Sequence, residues 1–343
     1  MSQSSELVRL DALNRYLQEQ GVDIGHVQRA DKFSGGQSNP TFKIATDKGQ
    51  YVLRRQPPGK LLKSAHAVDR EFRVIAALQD TDVPVPQAIH LCTDTDVLGA
   101  MFYIMEFKDG RIFWQSALPE ITDVVVRTQM YDEMNRVLAS LHNVDVEAAG
   151  LEDYGRPGNY FERQLQRWTK QYRAAETEHI EDIEVLMDWL TVNLPEDDGQ
   201  VSLVHGDFRL DNMMFAPDEP RVIAVLDWEL STLGHPFADL AYQCMQLRLP
   251  HDLGHAPGLG GLDRQALGIP SEEEYIAKYC ERRGIEPIDN WPFYLAFSFF
   301  RLAAIVQGVV KRAKMGNASN AKAAALESMM RPLAAHAAAL IKD

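Results

Sequence analysis

The sequence predicts an α+β fold, with a small antiparallel-sheet N-terminal lobe and a larger, mainly helical C-terminal lobe. Two observations support this prediction. Short β-type runs dominate before residue 107, and longer apolar patterns with helical spacing dominate after it. The chain has 343 residues, of which 45% are hydrophobic, so it can bury a sizeable core and form two lobes. We expect these lobes at residues 1–107 and 108–343.

The predicted N-terminal lobe begins with a helix and continues mainly in strands. Two β-type runs at 41–44 (TFKI) and 51–54 (YVLR) flank an Asp-Lys-Gly turn, which predicts a hairpin. Apolar residues then recur with helical spacing, and two further β-type runs follow. The later elements of this lobe are therefore a helix and two strands, at 67–78, 88–91 and 102–107.

The predicted C-terminal lobe contains four clear helices. Ser271 is followed three residues later by Glu274, which is the capping-box pattern of a helix start, and Gly284 marks the end of that helix. The predicted helices lie at 130–142, 271–284, 293–312 and 321–341.

Composition excludes several classes of function. The net charge of −14 argues against general affinity for DNA or RNA backbones. Cys92, Cys244 and Cys280 have no C-x-x-C spacing, so we expect reduced thiols in a cytoplasmic protein. We expect no secretory signal at the N-terminus and no membrane span, because no apolar run reaches the roughly 18 residues that a span requires. We therefore expect neither nucleic acid nor a membrane as partner.

The stretch LVHGDFRLDNMMF, residues 203–215, places Asp207 and Asn212 in a loop between two apolar runs. Their interval matches a kinase catalytic loop, in which the Asp accepts the proton of the attacking hydroxyl and the Asn binds a metal. The run AVLDWE then places Asp227 at the end of a second strand. Taken singly, such residues are more often turn and cap residues. Their shared order and spacing favour phosphoryl transfer.

The N-terminal lobe offers the expected phosphate-binding elements. Ser34, Gly35 and Gly36 form a loop whose backbone N–H groups can approach phosphate oxygens closely. Arg54 stands on the following strand where a kinase has its lysine, and Glu71 on the next helix is its expected ion-pair partner. Without the central motif, both would be interpreted as surface charges.

These motifs resemble the aminoglycoside phosphotransferase family, the kinase-like enzymes that include choline kinase relatives. The resemblance covers nearly the whole chain and rests on GGQSNPTF, LVHGDFRLDNMMF and AVLDWELSTLGHPFADLAY. The stretches VLRRQPPGKLLKSAHAVDREFRV and FRLAAIVQGVVKRA are similar to the branch found as a domain of some acyl-CoA dehydrogenase proteins.

The resemblance implies a protein-kinase-like two-lobed fold that uses ATP and Mg²⁺ to phosphorylate a small hydroxyl compound. It also implies roles for particular residues. By this resemblance Asp207 is the catalytic base, and Asn212 and Asp227 are Mg²⁺ ligands. The adenine-binding hinge is formed by Met105, Glu106 and Phe107.

The sequence departs from protein kinases around the central motif. His205-Gly206-Asp207 lacks the usual Arg, and no A-P-E segment follows, so we do not expect a protein substrate. Glu229 could contact the metal or orient the turn. We expect His205 to be a structural hydrogen-bonding residue and Asp239 to hold the backbone of the catalytic loop.

Arg301 indicates the chemistry of the acceptor. It lies in an apolar helical run and shares a face with Arg312, and a buried arginine is costly unless it is paired or faces a polar cleft. It forms either a salt bridge or the wall of an acceptor pocket for an anionic alcohol such as a hydroxyacyl-CoA.

Three alternatives stay open. The protein could be a nucleotide-binding pseudokinase that regulates a partner, or an aminoglycoside- or choline-type kinase acting on a cationic alcohol. A metallophosphoesterase would need further His-bearing strand ends, and the histidines here are scattered.

Overall fold

The computed structural model of the protein describes residues 7–33, 39–58, 66–253, 257–315 and 320–342, and only the backbone of 320–325. The chain divides into two compact units. The first contains Met1–Arg111, Ala149–Leu151 and Met213–Ser231, and the second contains Ile112–Ala148, Glu152–Asn212 and Thr232–Asp343. The first unit therefore includes residues 213–231. We had expected this segment in the C-terminal lobe, at 108–343.

The elements alternate along the chain as an α+β fold. The strands are β1 (Val27–Lys32), β2 (Thr41–Thr46), β3 (Gln50–Arg55), β4 (Ala88–Cys92), β5 (Phe102–Glu106), β6 (Arg111–Ile112), β7 (Ser202–Val204), β8 (Met213–Phe215), β9 (Val222–Val225) and β10 (Thr232–Gly234). The helices are α1 (Leu10–Glu19), α2 (Val68–Ala77), α3 (Thr95–Leu98), α4 (Val124–His142), α5 (Tyr160–Ala175), α6 (Glu181–Val192), α7 (Phe237–Arg248), α8 (Arg264–Leu267), α9 (Glu272–Arg283), α10 (Trp291–Lys314) and α11 (Asn320–Ala339).

The first unit is built on a five-stranded antiparallel sheet in the order β1-β2-β3-β5-β4. The predicted hairpin is confirmed, because Ile44 of β2 pairs with Tyr51 of β3. Leu13 and Leu17 of α1 belong to the same buried cluster as Phe42 of β2. Buried and partly buried residues alternate along β2, so one face of the sheet is directed toward this core.

The smaller hairpin of the first unit carries part of the central motif. β8 and β9 pair in an antiparallel register, with Met213 opposite Val225. The start of β8 therefore lies beside the end of β9. Asn212 immediately precedes this hairpin in the chain, and Asp227 follows Val225 by two residues.

The second unit is mainly helical, with one short antiparallel pair formed by β7 and β10. The predicted capping box of α9 is present: Ser271 Oγ accepts the backbone N–H of Glu274, and Glu274 accepts the backbone N–H of Ser271. Gly284 ends this helix in the left-handed conformation, as predicted. The other three predicted helices correspond to α4, α10 and α11 within a few residues at each end.

α10 is the central helix of the second unit and packs against α5, α7 and α11. By length and composition alone it could cross a membrane, so the expectation that no segment reaches that length was wrong. Its apolar stretch is 72% buried within the structure, which is typical of a core helix.

Candidate active site

Arg54 of β3 forms an ion pair with Glu71 of α2. Arg54 Nε lies 2.7 Å from Glu71 Oε2, and the two side chains are only 13% and 1% exposed. The contact is close enough for an ion pair, although the N–H direction does not make it a hydrogen bond. The structure thus shows the predicted pair, while its role in binding phosphate stays a prediction.

Glu71 is held by two further side chains that the sequence reasoning did not identify. Asn39 Nδ2 donates to Glu71 Oε1 at 2.6 Å, and the Tyr103 hydroxyl donates to Glu71 Oε2 at 3.2 Å. Burial raises the pKa of Glu71, and Arg54 opposes this rise. Burial also raises the pKa of Tyr103 well above its usual value, so its hydroxyl keeps the proton that it donates.

Asp227 shares Arg54 with Glu71. Arg54 Nη2 donates to Asp227 Oδ1 at 2.5 Å. Burial alone would lower the pKa of Arg54, but Glu71 and Asp227 raise it above its ordinary value, so the guanidinium stays charged. The structure therefore brings together three of the predicted site residues in the first unit.

The backbone at Asp227 has an unusual conformation, and hydrogen bonds hold the turn that follows it. Asp227 has φ +64°, in the left-handed region that aspartate adopts more readily than most residues. The turn after it is anchored by Trp228, whose Nε1 donates to Val225 O at 3.0 Å. Ser231 Oγ also donates to Trp228 O. Glu229 is exposed on this turn and adds to the rise in the pKa of Glu71.

The predicted adenine hinge lies at the end of β5. Glu106 pairs with Lys108 at 2.8 Å, and Lys43 Nζ lies 4.0 Å from the centre of the Phe107 ring. Met105 stands opposite Val52 in the sheet. Their contacts with a nucleotide stay predicted. Ser34, Gly35 and Gly36 lie outside the described residues, so the phosphate loop is also still a prediction.

The predicted catalytic loop, in the second unit, is anchored by Asp239. The Asp239 carboxylate accepts the backbone N–H of His205 at 2.6 Å and that of Gly206 at 2.9 Å. Asp239 lies in the first turn of α7 and holds the backbone of this loop, as predicted, and it is completely buried. Asp207 N donates to His205 Nδ1 at 3.2 Å, which agrees with a structural role for this histidine. The loop is therefore rigid before it reaches Asp207.

Asp239→Asn should lower the free energy of unfolding by about 2–4 kcal/mol at pH 7, since an amide cannot satisfy both N–H donors as a carboxylate does. Burial alone would raise the pKa of Asp239, but His142 and the His205 N–H hold it below its ordinary value. A depressed pKa contributes stability above the unfolded-state pKa, near 4, and this stability is lost as pH falls through the folded-state value. The difference between wild type and variant should therefore shrink below about pH 4.

Denaturant unfolding at several pH values would measure this difference. Asp188→Asn, at an exposed position of α6, is the matched control and should change little. A variant at position 239 that is as stable as wild type at pH 7 would show that Asp239 does not support the loop.

Asp207 is half-buried and is oriented by Asn212. Asn212 Nδ2 donates to both the backbone oxygen and Oδ2 of Asp207, each at 2.9 Å. This use of Nδ2 leaves Asn212 Oδ1 as an oxygen donor for a cation. The second unit thus brings together the predicted base and one predicted metal ligand.

Arg301 binds the catalytic loop rather than a carboxylate. Its Nη2 donates to Gly206 O, the residue before Asp207. Its Cζ lies 5.7 Å from the centre of the Trp168 ring and 5.3 Å from that of Tyr242. Within the described residues Arg301 has no acidic partner at ion-pair distance, so the predicted salt bridge is not found there. The cation is instead held beside Asp207 by aromatic faces.

The described histidines do not form a metal centre of the kind that a metallophosphoesterase needs. The group of potential ligands that these residues do bring together is Glu176, His179 and Glu184, away from the strand ends. Arg173 already pairs with both glutamates, at 3.6 Å and 2.5 Å. This group therefore gives that alternative no support.

Comparisons with known proteins agree with the geometry. Residues 29–277 match the phosphotransferase enzyme family. Mouse acyl-CoA dehydrogenase family member 10 is 49% identical over 314 residues, which are 91% of this chain but only 29% of the mouse protein. This chain therefore spans less than a third of that relative.

Solved structures share the fold. A candidate aminoglycoside phosphotransferase from Ralstonia eutropha superposes with a TM-score of 0.89 and 48% identity, over 97% of this chain and 98% of that one. A more distant aminoglycoside phosphotransferase, crystallised with AMP-PNP and hygromycin B, has a TM-score of 0.60 at 15% identity, over 95% and 98% of the two chains. The predicted kinase-like fold is thus confirmed, and the chain belongs to the phosphotransferase enzyme family.

Proposed function

We propose that this protein transfers the γ-phosphate of ATP to a hydroxyl group of a small molecule, with Mg²⁺ as cofactor. The observation that supports this best is the fixed position of Asp207. The buried carboxylate of Asp239 accepts two backbone N–H groups of its loop, and Asn212 donates a hydrogen bond to its side chain. Transfer to an alcohol needs little covalent chemistry beyond such a positioned base.

Asp207 is the proposed general base. Its carboxylate accepts a proton from the attacking hydroxyl as the bond to phosphorus forms. One hydrogen bond from Asn212 Nδ2 orients this carboxylate through Oδ2, and a second reaches the backbone oxygen of the same residue. His205 is fully buried and already accepts the Asp207 N–H, so it does not compete for the proton.

Asn212 and Asp227 are the proposed Mg²⁺ ligands, and both fit a hard cation that prefers oxygen. Asn212 keeps Oδ1 for this purpose. Asp227 is 37% exposed and uses Oδ1 to bind Arg54, which leaves Oδ2 for the metal. When bound, Mg²⁺ would neutralise charge that develops on the phosphates.

Arg54 is the proposed phosphate-binding cation, oriented by Glu71. Arg54→Ala should raise the Michaelis constant for ATP roughly 30-fold or more, since truncating a buried charged partner costs about 2–5 kcal/mol. Arg54→Lys keeps the charge but not the planar fork, so its effect should be several-fold only. Steady-state kinetics with varied ATP would measure both. Arg15→Ala, at an exposed position of α1, is the control. An unchanged Michaelis constant for ATP in Arg54→Ala would show that Arg54 does not bind phosphate.

For the acceptor we propose an anionic hydroxyl compound such as a hydroxyacyl-CoA. Arg301 supplies a cation next to the loop that carries Asp207, and no carboxylate among the described residues lies within ion-pair distance of it. The kinship with acyl-CoA dehydrogenase family proteins also favours an acyl thioester as substrate. A cationic aminoglycoside would face this arginine unfavourably, although a distant relative was crystallised with hygromycin B.

Arg301→Gln tests the acceptor class while keeping a donor for Gly206 O. We expect the Michaelis constant for hydroxyacyl-CoAs to rise about tenfold or more, because a charge-assisted hydrogen bond contributes about 1.5–3 kcal/mol. Turnover of a neutral alcohol should change little. Arg312→Gln, exposed on the same helix, is the matched control. Efficient phosphorylation of kanamycin-type amines, with Arg301→Gln indifferent, would favour the cationic-alcohol alternative.

A further inference from the structure

A pocket lies in the second unit, and the loop that contains Asp207 is not part of its lining. It has a volume of about 790 Å³ and is bounded by α4, α8 and α9 with their connecting turn. This size is within the usual range of small-molecule sites. Its lining includes neither Asp207 nor Asn212, and it also lacks Arg301. The proposed phosphotransfer chemistry therefore makes no use of it.

Two hydrogen-bond donors in the lining of this pocket have no acceptor among the described residues. They are Arg264 Nη1 and the Tyr275 hydroxyl, and both atoms are buried. Tyr275 is buried, with a relative exposure of only 3%. Unsatisfied buried donors are costly, and native proteins usually satisfy them with water, an ion or a ligand.

The carboxylates of the pocket are already engaged elsewhere. Arg282 Nη2 donates to both carboxylate oxygens of Asp132, each at 2.7 Å. Asp263 caps α8, and Glu274 belongs to the capping box of α9. None of them pairs with Arg264 in the described part of the chain. Arg264 as a whole residue is partly exposed, although its Nη1 is buried.

Tyr131, which also lines the pocket, interacts electrostatically with both Arg264 and Tyr275. Burial raises the pKa of Tyr131, and Arg127 and Arg264 oppose that rise. Burial, followed by the effects of Cys244 and Tyr131, raises the pKa of Tyr275 well above its ordinary value. Tyr275 therefore keeps its proton and can act only as a neutral donor toward an acceptor oxygen.

Part of the remaining lining is polar, and part of it is an apolar wall. Leu262, Ile269 and Pro270 provide this wall beside the ring of Tyr131. One unpaired guanidinium and a phenol match one carboxylate group, whereas three nearby acidic side chains disfavour a dianion such as phosphate. We propose that this pocket binds a small organic monocarboxylate through Arg264 and Tyr275, with the apolar part of the ligand against this wall.

The test compares hexanoate with its neutral counterpart hexanamide as probes for the full chain, by calorimetry and by ligand-observed NMR. Hexanoate should bind at least tenfold more tightly than hexanamide, and Arg264→Gln should abolish this preference. Tyr275→Phe should weaken hexanoate several-fold without loss of stability, because it removes an unpaired buried hydroxyl. Inorganic phosphate should bind more weakly than hexanoate.

Two controls separate this pocket from other cations. Lys278→Gln alters a lining lysine that already pairs with Glu281, and Arg301→Gln alters the proposed acceptor site. Both should leave hexanoate binding at the pocket unchanged. If a variant fails to fold, selective labelling of tyrosines in wild type still decides the matter, since hexanoate must shift the Tyr275 signals. Equal binding of hexanoate and hexanamide, no binding of either, or unshifted Tyr275 signals would overturn the proposal.

Discussion

Asp207→Asn should abolish phosphotransfer while ATP binding stays nearly intact. The amide keeps the shape of the carboxylate but cannot accept the proton of the attacking hydroxyl. General-base assistance contributes roughly 10²- to 10⁴-fold, so turnover should fall by at least that range. The loop should keep its conformation, because Asn212 also donates to the backbone oxygen of residue 207 and Asp239 holds the preceding N–H groups.

Two measurements separate chemistry from folding in this variant. Turnover is measured by release of ADP in the presence of an accepted alcohol, and nucleotide affinity is measured by calorimetry. Asp218→Asn, in the exposed β8–β9 turn, serves as the control. If Asp207→Asn turns over at the wild-type rate, Asp207 is not the base.

Asp227→Ala should reduce Mg²⁺-dependent ATP binding more than any other single substitution, by about 100-fold or more. A divalent cation held by one or two protein oxygens loses most of its site when a carboxylate is removed. The same change also frees Arg54 from one of its two carboxylate partners. The effect should therefore appear with Mg²⁺ present and be much smaller in its absence.

Calorimetric titration of ATP with and without Mg²⁺ tests this prediction. Binding of Mn²⁺, followed by electron paramagnetic resonance, gives a readout that does not depend on catalysis. Asp218→Ala should behave as wild type, since that side chain is exposed on the turn between β8 and β9. Equal affinities for Asp227→Ala and wild type would contradict the role of Asp227 as ligand.

The sequence was informative where chemistry requires fixed residue types at fixed intervals. The spacing of Asp207 and Asn212 predicted a catalytic loop, and Asp239 holds the backbone of this loop as expected. The hairpin of β2 and β3 and the capping box of α9 were predicted from local rules that the structure follows. These features depend on neighbours in the sequence, so a single chain reveals them.

Contacts between distant segments were not predictable in the same way. Tyr103 supports Glu71 because β5 pairs with β3, so that Arg54 stands opposite Tyr103. Asn39 lies in a motif that was recognised, yet its bond to Glu71 spans 32 residues. Register and helix docking decide such contacts.

The surroundings of Arg301 show the same limit. Tyr242 lies three residues after Asp239 on α7, so helical spacing could have indicated it as a neighbour of the catalytic loop. Trp168 comes from a separate helix and had no signal in the sequence. The segment 213–231 was similarly placed by composition alone, whereas its hairpin packs within the first unit. Tertiary packing decides which side chains surround Arg301 and which unit contains residues 213–231.

Transfer of a radiolabelled γ-phosphate from ATP to a panel of alcohols tests the central claim most directly. The panel includes hydroxyacyl-CoAs, neutral alcohols and kanamycin-type amines, with Mg²⁺ present and with Asp207→Asn as the blank. We predict label in a hydroxyl product, with hydroxyacyl-CoAs preferred, and none with Asp207→Asn. Binding of ATP without label in any product, across the whole panel, would contradict the claim and favour a nucleotide-binding pseudokinase.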